Sequence, residues 1–376
     1  MPTVLIAGDI CPIEGNRPYF RKGDAETLVG DLLPEFQTAD LSLANLECPF
    51  IERPSPIRKT GPTFGVENDC IDAFKAIGIQ ALGLANNHIM DHGAEGLQNT
   101  LKVCAQAGIR TVGAGKDLAT ARELLIQEVR GIRIGIMAVA EHEFSVSANG
   151  SWGANPLDIP SFVRTVEREK SRFDYLIVLL HGSHEFLIPT PRIKDTCHFL
   201  VEQGANAVIV QHPHCVGGWE NYLGGHIVYG QGAFLMDEGL YRNLKIFHEG
   251  VLIKLKISND FTSTIEFIPF VQSSPAPGAR RMNGEKETAF REHLTSLSES
   301  LQNDDWVQAQ WLSFCEQKKF AYLSAVLGHN RILRKLNKRG FLARWFYRKQ
   351  EFLSVRNMVC CETHREALET IFKRLM

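Results

Sequence analysis

Short apolar runs alternate with amphipathic stretches along the first 270 or so residues, and this alternation predicts an α/β fold. The amphipathic stretches, such as 24–36, 94–107 and 193–203, have the spacing of helices with one buried face. The glycine-rich stretch 230–237 is expected to be a loop. Continuous apolar runs are typical of strands buried on both faces, so we expect largely parallel sheets covered by helices. The strand-length runs that matter most below are 4–7, 41–44, 80–84, 175–180 and 208–210.

After the segment 275–278, which is rich in proline, the pattern becomes helical without further strands. We therefore predict two parts, an α/β domain at 1–272 and a helical extension at 279–376. The extension ends in a basic stretch: residues 331–376 contain 12 Lys and Arg against 4 Asp and Glu. Aromatic residues, including the run 345–347, interleave with its arginines over 341–348. Two interpretations stay open, a helix packed on the body with solvated charges, or a peripheral contact with an anionic membrane surface or polymer.

Polar residues follow five of the predicted strands at the point where each one ends. Ligand sites of open α/β sheets lie at these carboxyl ends, so the side chains are expected to converge. Two histidines separated only by a proline follow the run 208–210, and that proline stiffens the backbone between them. The five strand ends carry Asp9, then Glu47, then Asn87 with His88, then His181, and finally His212 with His214.

Carboxylate oxygens and imidazole nitrogens together are the ligands of Mn²⁺, Zn²⁺ or Fe. Six such ligands are too many for one tetrahedral zinc ion, and two ions bridged by one carboxylate fit them better. Such a pair lowers the pKa of a water and clamps the oxygens of a phosphoryl group. The plainer alternative is that the histidines are loop residues bonded to the backbone.

Composition limits the function classes further. The 376 residues carry a formal net charge of −2, which argues against general nucleic-acid binding. The nine cysteines include no Cys-x-x-Cys pair, and neither a signal peptide nor an apolar run of membrane-spanning length is evident. We therefore expect a cytoplasmic protein, with possible peripheral contact at the inner face of the membrane through 331–376.

Six motifs recur in an order that resembles the CapA family of poly-γ-glutamate capsule synthesis, itself similar in fold to calcineurin-like metallophosphoesterases. The resemblance covers about residues 3–270 and implies a sandwich of two sheets flanked by helices. The motifs are Gly8-Asp9, Asn45-Leu46-Glu47, Asn86-Asn87-His88-x-x-Asp91-x-Gly93, His181-x-x-x-Glu185, His212-Pro213-His214 and Tyr229-x-x-Gly232-x-Phe234.

The resemblance also implies roles for individual residues. Asp9 and His214 would hold one metal ion, Asn87, His181 and His212 the other, and Glu47 would bridge them. His88 would protonate the leaving group, and Asp91 would fix its ring and keep it protonated. Substrate contacts are expected from Asn45, Asn86, Glu185 and Tyr229.

Three positions depart from the family pattern. Cys11 stands where the phosphoesterases have a histidine, Gly182 replaces a tryptophan, and Ala233 replaces an asparagine. These changes predict a modified first metal site and altered substrate contacts.

The function implied is a metal-dependent hydrolase or transferase, phosphoesterase-like, that acts in the synthesis of a capsule, poly-γ-glutamate or another cell-surface polymer. Its partners would be an anionic polymer or a phosphorylated or γ-glutamyl substrate, together with the capsule-synthesis machinery. Two alternatives remain: a non-catalytic assembly factor of that machinery, and a γ-glutamyl amide hydrolase that uses the same metal ions.

Overall fold

The computed structural model describes residues 1–147, 150–326, 330–346, 349–360, 364–365, 368 and 371–372. The helices are α1 (Arg17–Lys22), α2 (Ala25–Val29), α3 (Leu33–Thr38), α4 (Ile71–Ile77), α5 (Gly93–Gln106), α6 (Leu118–Ala121), α7 (Ile159–Glu169), α8 (Pro191–Glu202), α9 (Gly284–Ser300), α10 (Asp304–Val326), α11 (Arg331–Leu336), α12 (Phe341–Phe346) and α13 (Lys349–Cys360).

The strands that carry the site are β1 (Thr3–Cys11), β2 (Leu41–Leu46), β5 (Ala81–Gly83), β11 (Tyr175–His181) and β12 (Ala207–Gln211). The others are β3 (Phe50–Ile51), β4 (Val66–Glu67), β6 (Arg110–Val112), β7 (Ala114–Gly115), β8 (Leu125–Val129), β9 (Ile132–Ala140), β10 (Gly153–Ala154), β13 (Trp219–Tyr222), β14 (Gly225–Val228), β15 (Ala233–Met236), β16 (Glu249–Ile257), β17 (Ser263–Gln272) and β18 (Ala279–Arg281).

Two large sheets organise these strands. The first has the order β18-β17-β16-β1-β2-β5-β6, with β15 also paired to β1, and the second has the order β13-β14-β12-β11-β9-β8. Strands β1, β2, β5 and β6 run parallel in the first sheet, as do β9, β11, β12 and β14 in the second. The prediction of an α/β sandwich of two sheets flanked by helices is therefore confirmed.

The second sheet contributes to two apolar cores because successive side chains of a strand point to opposite faces. On β11, Ile177 and Leu179 belong to the main core with the first sheet, whereas Val178 and Leu180 belong to a smaller core. Helices α7 and α8 cover that smaller core, for example through Phe162. The space between the carboxyl ends of the two sheets is consequently where inner-face polar residues can meet.

Two local predictions were wrong, each because of glycine. The stretch 24–36, expected to be one helix, is broken into α2 and α3 at Gly30, whose φ is +43°. The stretch 230–237, expected to be only a loop, contains β15. Gly8 permits this pairing, since a Cβ atom there would lie 2.2 Å from the carbonyl oxygen of Gly232.

By its contacts the chain forms two compact units, Met1–Gln308 and Ala309–Met376. The first unit extends past the predicted boundary at 272 because Phe290 and Leu294 of α9 are buried in the main core. Within the second unit, the amide of Asn337 donates to Ser324 Oγ at 2.6 Å. Tyr347 of the predicted aromatic run lies outside the described residues. In the described part of the chain, no helix has the length and apolar character needed to cross a membrane.

Candidate metal centre

Strand alternation delivers His181 to the space between the sheets. Tyr175, Ile177 and Leu179 are the inner-face residues of β11, and His181 is the next position in that series. Its neighbour β12 ends at Gln211, immediately before the two histidines that flank Pro213. The strand ends therefore bring imidazoles into the buried space between the two sheets.

Two groups of three ligand-type side chains overlap in this interior. Glu47, His181 and His212 form one group, and Asp9, Glu47 and His214 form the other, with the ligand atoms of each group within 4.8 Å of one another. All five residues are buried, with exposed fractions from 0% for Glu47 to 8% for His212. Among the residues that the structure describes, Glu47 alone belongs to both groups.

Several of the ligand-type atoms in these groups lack hydrogen-bond partners. Both carboxylate oxygens of Glu47 and the Nδ1 atoms of His212 and His214 are buried without a hydrogen bond. An unpaired buried polar atom costs about 1–3 kcal/mol, and a buried carboxylate more, unless something compensates it. A bound cation would compensate all of them at once, so the buried cluster is compatible with metal binding.

Asn87 joins the first group through its amide oxygen. His181 Nε2 lies 3.0 Å from Asn87 Oδ1 and 3.4 Å from Glu47 Oε1. An amide oxygen, a carboxylate oxygen and an imidazole nitrogen thus converge from three strand ends. The resemblance described above implies a second metal ion in this neighbourhood.

The side chains of Asn45 and Asn86 are hydrogen-bonded to other groups of the protein. Asn45 Nδ2 donates to Asp9 Oδ1 at 2.7 Å, and Asn86 Nδ2 donates to Leu46 O at 2.7 Å and to Asn45 Oδ1 at 3.1 Å. Asn86 Oδ1 accepts from the backbone N–H of His88 at 3.1 Å. Both asparagines are fully buried in this network, so they position Asp9 and His88, and the expected contacts with substrate are not evident from their geometry.

The backbone φ angles of the two histidines that flank Pro213 are unusual. His212 has φ +93° and His214 has φ +54°, whereas residues with a side chain rarely adopt positive φ. The N–H of His212 donates to Asp9 Oδ2 at 3.0 Å, which helps to hold this conformation. Such strained positions cluster at functional sites and cost about 1–3 kcal/mol each.

Charge at the centre is uneven. Burial and the nearby charge of Asp9 raise the pKa of Glu47 well above its usual range. Burial also disfavours the Asp9 carboxylate, yet contacts with His214 and the ring of His181 hold its pKa well below the usual range. The pKa of His214 is raised to about 9 although burial opposes this, because Glu47 and Asp9 attract the proton. A proton on His214 is thus favoured beside the Asp9 carboxylate.

The other two histidines are neutral. Burial lowers the pKa of His181 to about 4 and that of His212 well below its ordinary value. A neutral imidazole is the form that binds a metal ion. Their rings lie side by side, with centroids 4.9 Å apart.

A buried lysine that the sequence analysis did not identify completes the neighbourhood of His88. His88 Nδ1 lies 2.6 Å from Asp91 Oδ2, and Lys59 Nζ lies 2.5 Å from Asp91 Oδ1 and 3.2 Å from His88 Nδ1. Burial lowers the pKa of His88, whereas Asp91 fixes the ring and favours its protonated form against the effect of burial. A single lysine in a segment without periodicity gives no signal in the sequence.

The segment 52–65, which we call the strap, brings Lys59 to this position. Its backbone is bonded to the loop after β5: the N–H of Phe64 donates to Asp91 Oδ2 at 2.7 Å, and the N–H of Ser55 donates to His92 Nδ1 at 2.8 Å. The ring of Phe64 also packs on that of His88, with centroids 4.5 Å apart. The strap therefore covers one face of His88.

Glu185 and Tyr229, the other two residues expected to contact substrate, lie in different parts of the fold. Glu185 is near the centre, since its charge acts on Glu47 and His214, and it accepts from the hydroxyl of Tyr241 at 2.8 Å. Tyr229 is not brought to the centre: it packs in the smaller core, and its hydroxyl donates to Glu220. Strand alternation explains this, because Tyr229 continues the outer face that Ile227 begins.

Cys11 does not join either ligand group. It is buried at the end of β1, and burial, with the neighbouring Cys48, raises the pKa of its thiol. In the metal-free protein this thiol therefore keeps its proton. The position that holds a histidine in the phosphoesterases is thus filled here by an apolar group.

Comparison with known proteins gives consistent matches to capsule proteins. The family model of the bacterial capsule synthesis protein PGA_cap matches residues 3–238. The capsule biosynthesis protein CapA of Bacillus anthracis is 24% identical over 349 residues, which span 90% of this chain and 80% of that protein. The PGA biosynthesis protein CapA of Bacillus subtilis (strain 168) is 27% identical, over 60% of this chain and 59% of that protein.

Among solved structures, a hypothetical protein from Thermus thermophilus superposes with a TM-score of 0.47 and 14% identity. The match covers 72% of this chain and 99% of that protein.

Proposed function

Because this chain belongs to the bacterial capsule synthesis protein family PGA_cap, we propose that it acts in making a capsule or another cell-surface polymer as a metal-dependent, phosphoesterase-like hydrolase or transferase. The observation that carries this proposal is Glu47, which is shared by two buried ligand groups and has no hydrogen bond on either oxygen. A structural carboxylate would be expected to have partners.

The proposed ligand sets follow from the two groups. Asp9, Glu47 and His214 would hold one divalent ion, and Glu47, His181 and His212, joined by Asn87, would hold a second. The mixture of oxygen and nitrogen donors suits Mn²⁺, Zn²⁺ or Fe. When bound, such ions supply Lewis acidity that polarises a phosphoryl or carbonyl oxygen and activates water.

His88 is the proposed proton-transfer residue. With its Nδ1–H donated to Asp91, its Nε2 atom is left to exchange a proton with the substrate. The strap shields that ring on one face through Phe64. Asn86 fixes the backbone of His88 and thereby the starting point of its side chain.

The test is turnover of a chromogenic phosphodiester by protein purified without a His-tag, before and after removal of metal by a chelator. We expect turnover that the chelator abolishes and that divalent metal restores. His88→Ala should keep its metal and lose turnover most strongly for poor leaving groups, typically by about 10²- to 10⁴-fold.

Three outcomes separate the proposal from its rivals. Turnover of a chromogenic γ-glutamyl amide, with none of the phosphodiester, would identify an amide hydrolase. Metal binding without turnover of either substrate would identify a binding or assembly factor. Chelator-resistant turnover would contradict the proposed metal-dependent mechanism.

We further propose that the basic segment 331–376 makes peripheral contact with an anionic surface. Exposed apolar side chains accompany its cations, among them Ile332, Leu336, Phe341 and Trp345. Apolar residues interleaved with Lys and Arg are typical of interfacial segments.

A further inference from the structure

An arginine-rich cleft lies between α7 and the segment that joins α6 to β8. Its volume is about 570 Å³. Arg122 and Leu124 line one wall, and Ser161, Thr165 and Arg168 of α7 line the other. None of these residues belongs to the metal centre.

The α7 wall is one continuous face of the helix. Lining positions 161, 164, 165, 168 and 169 recur at intervals of three and four residues, and Arg172 follows just beyond the helix end. From Ser161 to Arg168 this face is about 10 Å long. The cleft therefore offers an elongated row of donors.

Positive charge exceeds negative charge in the cleft. Four arginines line it, at positions 122, 164, 168 and 172, against two glutamates, at 123 and 169. Arg168 and Arg172 share Glu169 as their ion-pair partner, at 2.7 and 2.6 Å. Within the described part of the chain, the carboxylates present thus leave an excess of guanidinium groups.

Arg122 distinguishes this cleft from a solvated basic surface. Its Nε atom is buried and has no hydrogen bond. The Arg122 side chain as a whole is half-buried and lines the cleft, so it is held in place more firmly than the exposed arginines of α7. Thr165, whose exposed fraction is 4%, lines the opposite wall.

We propose that this cleft binds an elongated multivalent oxyanion, with the half-buried Arg122 as the anchor and the arginines of α7 along its length. Guanidinium forks match both carboxylate and phosphate oxygens in a bidentate way, so a polycarboxylate and a polyphosphate share the required chemistry. The site does not depend on the metal centre or on the proposed function.

The experiment is calorimetric titration of metal-free full-length protein with two probes, inorganic tripolyphosphate and tricarballylate. The chelator is dialysed away first, so that neither probe can be held by a metal ion. We expect one saturable site for at least one probe, weakened by added salt because charge drives the binding. The probe that binds identifies the ligand as phosphate-like or carboxylate-like.

Variants locate the site. Arg122→Met should weaken binding about tenfold or more, and Arg164→Met provides a second test at an exposed position where folding is not at risk. Arg130→Met is the matched control, because Arg130 is an exposed arginine paired with Asp40 outside the cleft, and it should bind as the parent does. The double variant His212→Ala/His214→Ala should also bind normally.

Two results would overturn the proposal: no saturable binding of either probe at low salt, or parental affinity in both Arg122→Met and Arg164→Met. Loss of binding in the double histidine variant would instead assign the anion to the metal centre and likewise overturn it. Thermal melts of every variant establish that a lost affinity is not a lost fold.

Discussion

Lys59 Nζ lies 2.5 Å from Asp91 Oδ1, and the two side chains are 3% and 0% exposed. This buried pair joins the strap to the loop that carries Asn87 and His88. The lysine also donates to the backbone carbonyl of Asn87 at 3.3 Å. The geometry of two candidate functional residues therefore depends on a residue distant in sequence.

Replacing Lys59 by Met should destabilise the protein by about 3–5 kcal/mol, because it leaves the buried Asp91 carboxylate without its cation. Urea unfolding measures this, and trypsin should cut the strap at Arg58 faster. The control is Lys194→Met. Lys194 is also buried and lies 2.5 Å from Asp304, but that carboxylate is 87% exposed and can be solvated, so the cost should be smaller. Equal costs for the two variants would contradict the positioning role of Lys59.

Replacing His212 and His214 together by Ala should remove bound metal, because each ligand group loses one member. Metal that binds only the folded state stabilises it by about 2.7 kcal/mol at a concentration of 100 Kd. That stabilisation should disappear from thermal melts, and elemental analysis should find no metal. His293→Ala, at an exposed position of α9, is the control. Full metal occupancy in the double variant would refute the assignment of these ligands.

Replacing Glu47 by Gln should abolish metal binding without lowering the stability of the metal-free protein. Metal binding should be lost from both groups, because the shared ligand loses its charge. The metal-free protein should melt no lower than the parent, since the amide keeps the volume and removes repulsion with Asp9. Comparing melts with and without chelator tests this, and a large loss of stability in the metal-free state would show that Glu47 is structural.

The strand ends of the centre could be predicted because a buried parallel strand is a short apolar run, and a polar residue after it is conspicuous. Tyr229 was misplaced because its motif indicates a turn after a strand but not which face the side chain takes. Lys59 was missed for a different reason. Its partner Asp91 is 32 residues away, and a pair that forms only on folding leaves no local pattern. Strand β15 was missed because the glycines that allow it to approach β1 closely are also typical of loops.

The ion pairs of Glu35 should make stability depend on pH. Burial opposes its charge, but hydrogen bonds from Lys254 and Arg281 lower its pKa below the ordinary value of 4.5. A lowered folded-state pKa contributes stability above the unfolded value, and that contribution is lost as pH falls through the folded value. Glu35→Gln should therefore cost about 1 kcal/mol at neutral pH, with the difference from the parent closing below about pH 4.5.

Denaturant titrations at several pH values measure that difference. The control is Glu26→Gln, at an exposed position of α2, which should differ little from the parent throughout. A Glu35→Gln deficit that stays constant down to acid pH would contradict the assignment of this stability to the ion pairs.

Removing residues 331–376 should abolish attachment to anionic liposomes. The segment has 12 Lys and Arg against 4 Asp and Glu, and each cation near an anionic leaflet contributes about 1 kcal/mol. Co-sedimentation should fall with salt and be absent with neutral liposomes. Identical sedimentation of the full-length and shortened chains would refute the proposal.

The positive φ angles at His212 and His214 limit the transfer of this centre to another protein. The same tripeptide grafted after a strand of another protein would send its rings elsewhere, because an ordinary loop extends both histidines. The host would have to supply an acceptor like Asp9 for the N–H of His212. It would also have to tolerate the positive φ angles of His212 and His214 on either side of the proline. A search for such centres in other proteins should therefore compare backbone torsion angles before it compares amino-acid sequences.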